Sequence, residues 1–112
     1  TGEYCVMIAF GNDTEVFGNS VQGELMASVV NYLIQNHNLI SAIKPLPYIP
    51  GNKRAIVDDK PTHNGDKMKN HRELSQGYYL EVNLSWNQKK REMKRMAGAC
   101  GVEISIAGNN DD

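Results

Sequence analysis

The sequence predicts an α+β fold, a mixed β-sheet with two helices packed on one of its faces, on the strength of three observations. Apolar residues alternate with a period of two over Tyr78–Leu84 and Val102–Ile106 and run unbroken over Tyr4–Phe10, the patterns of half-buried and fully covered strands. They recur at three and four residues over Leu25–Ile34 and Trp86–Cys100, the spacing of core-facing helices. The strands also show polar alternation, which calls for cover on one face only, and two helices supply that cover.

Taken in order, Glu3–Phe10 places Tyr4, Val6, Ile8 and Phe10 on one side and Cys5, Met7 and Ala9 on the other. Both sides are apolar, which predicts a central strand covered on both faces. Gly11-Asn12-Asp13 is a turn and Glu15–Gly18 a short returning strand. Asn19 or Ser20 is the expected N-cap of the first helix, and Asn36-His37-Asn38 its stop, because Asn tolerates the left-handed cap conformation. Leu39–Lys44 reads as extended. Pro45, Pro47 and Pro50 then break any ladder.

Arg54–Val57 reads as a short strand, and 58–76 as a long polar loop, or a β-hairpin turning at Asn64-Gly65. After the strand at Tyr78–Leu84, Ser85 and Gln88 have the spacing of a capping box. The second helix carries Trp86, Met93, Met96, Ala97 and Cys100 as its apolar stripe, and Gly101 stops it. A last strand, Val102–Ile106, would complete a right-handed parallel crossover over residues 78–107. The order β-β-α-β-loop-β-α-β fits a β-grasp or split β-α-β arrangement. One domain, 1–108, followed by a disordered acidic tail, 109–112, is the expected organisation.

Composition narrows the function classes. The chain has 112 residues, with 40% hydrophobic and 22% charged, an ordinary globular balance. Its opening, Thr1-Gly2-Glu3, has no basic leader, so no signal peptide is expected. No apolar run approaches the roughly 18–20 residues that span a bilayer, so no membrane partner is expected, and an intracellular location is. Two cysteines, Cys5 and Cys100, are too few for a disulfide framework and read as small buried hydrophobes.

The net charge of −1 conceals an asymmetry. Residues 1–43 contain Glu3, Asp13, Glu15 and Glu24 but no Lys or Arg. All 12 basic residues lie between Lys44 and Arg95, where they leave a local charge of +6. Lys89, Lys90, Arg91, Lys94 and Arg95 crowd onto the second helix, and Lys90/Lys94 and Arg91/Arg95 are like-charged i,i+4 pairs. Such pairs destabilise a helix by a few tenths of a kcal/mol each, so the crowding points to a phosphate-rich partner as well as to a solvated face.

The expected function is therefore a non-enzymatic binding module that contacts nucleic acid, DNA ahead of RNA, as part of a larger protein. Its candidate contacts are Lys53, Arg54, Lys67, Lys69, Arg72, Lys90, Arg91, Lys94 and Arg95. Asn52, Asn64, Asn70 and Gln76 are candidate hydrogen-bonding partners, and Tyr48, Tyr78 and Tyr79 candidate stacking surfaces.

The alternative is a protein-interaction or oligomerisation domain. Its acidic and basic halves would pair head-to-tail, and Leu39–Lys44 would offer an edge strand. An enzyme would have to use His63 and His71 with Asp58, Asp59 and Asp66, whose spacing fits no zinc pattern. A metal-dependent phosphodiesterase would want a carboxylate-x-lysine pair where the sequence reads Glu81-Val82-Asn83. No cofactor and no metal are expected.

Overall fold

The computed structural model describes residues 4–51, 54–63 and 66–108, with His63 and Asp66 as backbone alone; the acidic tail expected at 109–112 lies outside the described residues. Strand β1 (Tyr4–Phe10) turns at Gly11, whose φ of +61° suits glycine, into β2 (Asp13–Asn19). Helix α1 (Gln22–His37) follows, then a short helix α2 (Leu39–Ile43). The middle of the chain forms β3 (Val57–Asp58), β4 (Thr62–His63), β5 (Asp66–Lys67), β6 (His71–Glu73) and β7 (Tyr79–Glu81). Helix α3 (Trp86–Cys100) and strand β8 (Glu103–Ala107) end the described structure.

The class is α+β, with helices packed against sheets. The strands divide between two three-stranded sheets, ordered β2-β1-β8 and β3-β7-β6, with β4-β5 as a separate hairpin. Each of these pairings is antiparallel. The expected parallel crossover therefore does not form: β7 and β8 flank α3, but each belongs to a different sheet. The physical reason lies in β1, which leaves one edge free after pairing with β2. β8 takes that edge in antiparallel register, setting Ile104 opposite Ile8 and Ile106 opposite Val6.

Helices α1 and α3 touch each other and lie on the same face of the first sheet, α1 against β1 and β2 and α3 against β8. The opposite face stays open. Met7 is 43% exposed and Val16, directly across from it, 61%, so β1 is central but is covered on one side only. The shared core joins Val6 and Ile8 to Leu25, Met26, Val29, Val30 and Leu33 of α1, and to Met93, Met96 and Ala97 of α3. Val57, Leu80 and Val82 bring the second sheet into the same cluster. Gly23 of α1 makes a close approach to it, since a Cβ there would lie 3.3 Å from a Val82 methyl carbon.

Local chemistry explains most boundaries. α1 starts at Gln22 with Val21 in the cap position and no capping side chain. Asn19 instead accepts the Val21 N–H at 2.9 Å, and Ser20 is not the cap either. Asn38 does end α1 in the left-handed region, φ 55°. Leu39–Lys44 is not extended: the turn at Asn38 redirects the chain into α2, which buries Leu39 and Ile43, one helical turn apart. β3 covers only Val57–Asp58, with Arg54 preceding it as irregular chain.

Residues 58–76 hold regular structure. β4 and β5 pair on either side of positions 64–65, while the Asn64-Gly65 turn itself lies outside the described residues. Asn31 accepts the Ser75 N–H at 2.7 Å, and Gln35 donates to the Ser75 hydroxyl at 2.8 Å, which ties the end of this segment to α1. The capping box on α3 is complete: Ser85 Oγ accepts from Gln88 N at 3.1 Å, and Gln88 Oε1 accepts from Ser85 N at 3.0 Å. Gly101 closes α3 with φ +74°.

Candidate nucleic-acid interface

The surface of α3 is set by its register on the core. Met93, Met96 and Ala97 face inward, which leaves Arg91, Lys94 and Arg95 exposed on the far side. The chain around Ile56 runs alongside this helix, held by Tyr48. The Tyr48 N–H donates to the Val57 carbonyl at 2.8 Å, and the Ile56 N–H donates to the Tyr48 carbonyl at 2.8 Å. Between segment and helix lies an open groove of about 540 Å³.

Arg54, from one side, and Gln88, Arg91 and Arg95, from the other, supply its polar lining, and among the described residues Glu92 supplies its one carboxylate. Pro50, Gly51, Ile56 and Leu84 form the uncharged remainder. Two of the three guanidinium groups are held by protein acceptors. Arg54 Nη1 donates to the Asn83 carbonyl at 2.6 Å, and Arg95 Nη1 reaches Glu92 Oε2 at 3.4 Å. Arg91 makes no hydrogen bond or ion pair with the described residues.

Glu92 is itself buried, and the Tyr48 hydroxyl donates to its Oε1 at 3.4 Å. Burial, reinforced by the negative charge of Glu92, pushes the Tyr48 phenol above its ordinary value near 10.0. Tyr48 is thus a neutral donor that helps fix Glu92, and through it Arg95.

Of the nine candidate contacts, the groove gathers Arg54, Arg91 and Arg95, with Lys94 exposed on the same side of α3. The others are placed differently. Arg72 is committed to Glu24 of α1 at 2.6 Å and to Asn70 at 2.8 Å. Lys67 and Lys69 are exposed around the 66–69 stretch. Lys90 lies over the Trp86 ring, 5.8 Å from its centroid, a cation–π distance. Lys53, with the candidate partners Asn52 and Asn64, lies outside the described residues. Of the three tyrosines, Tyr79 meets His71 edge-on at 5.6 Å, and Tyr48 and Tyr78 pack partly against the core.

Two buried charged groups escape a reading of the sequence. Lys89 is enclosed, its ammonium donating to the Leu84 carbonyl. Burial, and then the nearby Arg72, lowers its pKa below the usual lysine value. Glu81, only 2% exposed, accepts backbone N–H bonds from Lys69 at 2.7 Å, Asn70 at 2.9 Å and Asn83 at 3.0 Å. The carboxylate that a metal-dependent phosphodiesterase would use is thereby occupied in holding two loops.

Among the described residues, no three His, Cys, Asp or Glu side chains are grouped so as to hold a metal ion. Cys5 and Cys100 are both free thiols, half-buried, and burial pushes the Cys100 thiol up. No helix among the described residues is long and apolar enough to cross a membrane. No protein-family model, curated protein or solved structure matches the chain.

Proposed function

We propose that this domain is a non-enzymatic binding module that holds nucleic acid, DNA ahead of RNA, by its phosphates, with Arg54, Arg91 and Arg95 as the primary contacts. The observation that carries this reading is the convergence of three arginines from two separate segments on one open groove. Guanidinium forks match phosphate oxygens in a planar, bidentate way that ammonium groups do not. The like-charged Arg91/Arg95 pair at i,i+4 on α3 opposes helix formation, so helix stability does not account for that pairing. Lys94 extends the same exposed face, and Gln88 adds a neutral donor.

Fluorescence anisotropy with short DNA and RNA, duplex and single-stranded, over a salt series tests the reading. Phosphate contacts make log affinity fall linearly with log salt. Saturable binding with such a slope, lost in Arg91→Glu combined with Arg95→Glu, is the expected result. Absence of binding at low salt with tens of micromolar protein, roughly the weakest range of non-specific association, refutes it.

A second reading, a protein-interaction domain, is favoured by the open face of the first sheet, where Met7 and Val16 stand exposed opposite each other. The edge strand expected at Leu39–Lys44 is helical and plays no part in it. Mass that rises with concentration in light scattering, and returns to the monomer value in Met7→Lys, supports this reading over the first.

A further inference from the structure

We infer that the groove is a seat for one terminal phosphomonoester, the phosphorylated end of a strand, rather than a track for a run of internal backbone; this rests on the nucleic-acid reading above. Charge is the first argument. Among the described residues three arginines and one glutamate line the groove, a net charge of +2. A phosphomonoester carries about −1.5 to −2 at neutral pH, its second ionisation lying near pH 6, whereas an internal phosphodiester carries a single charge. Glu92 is what sets this balance. It is buried beside Arg95, so the groove cannot shed its negative charge by rotating it into solvent.

Donor geometry is the second argument. A guanidinium has five N–H donors in a fixed fork. Asn83 engages Arg54 and Glu92 engages Arg95 through one Nη1 each, so both forks are anchored yet keep most of their donors. Arg91, with no such anchor among the described residues, retains its full set. Three forks in one groove suit the three unesterified oxygens of a terminal phosphate. A diester offers two.

Extent is the third argument. About 540 Å³ falls within the range of small-ligand sites and accommodates a phosphate with its nucleoside. Among the described residues the rest of the lining, Pro50, Gly51, Ile56, Leu84 and Gln88, is uncharged. Three cations that could prolong a track are engaged elsewhere, Arg72 with Glu24, Lys89 with Leu84, and Lys90 over Trp86, which leaves Lys94 to extend the exposed face of α3.

The test compares labelled single strands of one sequence carrying a phosphate or a hydroxyl at the 5′ end, and likewise at the 3′ end, by anisotropy at pH 7.5 and pH 5. An end phosphate is expected to tighten binding on the order of tenfold, the worth of about one additional charge-assisted contact. That increment should shrink at pH 5, where the dianionic monoester takes up one proton and becomes a monoanion, and vanish in Arg91→Gln. Glu92→Gln, which keeps an acceptor for Arg95 but removes the charge, should strengthen binding of both strands, and of the more highly charged phosphorylated end more, widening the preference.

Equal affinity for phosphate- and hydroxyl-ended strands overturns the end seat while leaving nucleic-acid binding in place. No binding of any strand overturns both. A phosphoserine peptide competing as well as the phosphorylated strand, with the same dependence on Arg91, overturns the strand end as the occupant.

Discussion

Glu81→Gln is the most informative single change, because it alters neither size nor shape. Both carboxylate oxygens are in use: Oε1 accepts from Lys69 N, and Oε2 accepts from Asn70 N and Asn83 N. An amide has one acceptor oxygen and one donor NH₂. In its better orientation the amide oxygen takes the place of Oε2 and keeps two bonds, now neutral, while the NH₂ confronts the Lys69 N–H. An unsatisfied, partly buried donor costs about 1–3 kcal/mol, and each charge-assisted bond made neutral loses about 1 kcal/mol. Allowing for relaxation of the exposed loop, the expected destabilisation is about 2–4 kcal/mol.

Urea unfolding followed by the fluorescence of the chain's one tryptophan, Trp86, measures this. With a slope of roughly 1–3 kcal/mol/M, the midpoint should fall by about 0.7–4 M with the slope unchanged. Amide exchange at Lys69, Asn70 and Asn83 should accelerate together. A midpoint shift under about 0.3 M, a change worth less than about 1 kcal/mol on that slope, would refute the reasoning that this carboxylate holds the loops.

Burial raises the Asp58 carboxyl above its ordinary value near 3.8. A raised carboxyl adds stability that is full below the unfolded value and is lost as pH rises through the folded one. Asp58→Asn, which keeps an acceptor for the Asp59 N–H, should therefore gain on the wild type as pH rises through that window and then level off. Thermal melts from acid to neutral pH check this, and a pH-independent difference would contradict it. Ser85→Ala removes the α3 cap and should cost about 1 kcal/mol, read as a lower urea midpoint; no change would show that the helix is held by packing alone. At Gly108, an added Cβ would lie 2.5 Å from Tyr4 Cδ1. Gly108→Ala should destabilise by about 1–3 kcal/mol. It should also move Trp86 emission, since the Tyr4 and Trp86 ring centroids are 4.6 Å apart; an unchanged midpoint and spectrum would show that the Tyr4 ring gives way freely.

What can be read in the chain is whatever local chemistry decides. The Ser85–Gln88 box, the Gly101 stop, the left-handed Asn38 and the apolar stripes of α1 and α3 are each written within a few residues, and all are present. Leu39–Ile43 misleads because a five-residue helix has too little length to show a period; its conformation follows from the turn at Asn38 and from burial of Leu39 and Ile43. The parallel crossover misleads because strand partners are chosen across the whole chain, and β8 pairs with the free edge of β1 instead of joining β7.

The candidate site divides in the same way. The basic face of α3 follows from its 100° periodicity, so Arg91 and Arg95 are legible. Their meeting with Arg54 depends on the backbone bonds of Tyr48 to the 56–57 stretch, a contact that no sequence spacing announces. Glu81 and Lys89 are hidden for a related reason. Alternation assigns a charged residue to solvent, but each satisfies its charge on backbone groups and is buried there.

The pairing of β1 with β8 joins the first described strand to the last, which bears on when the fold becomes complete. During synthesis β1 and β2 can form a hairpin early, and α1 can settle on it, yet one rim of β1 waits until residues 103–107 leave the ribosome. The second sheet, drawn wholly from residues 57–81, has no such wait. Non-local closure of this kind slows folding through its loop entropy. A nascent chain stalled before β8 should therefore carry an ordered centre beneath an unfinished, adhesive N-terminal ribbon.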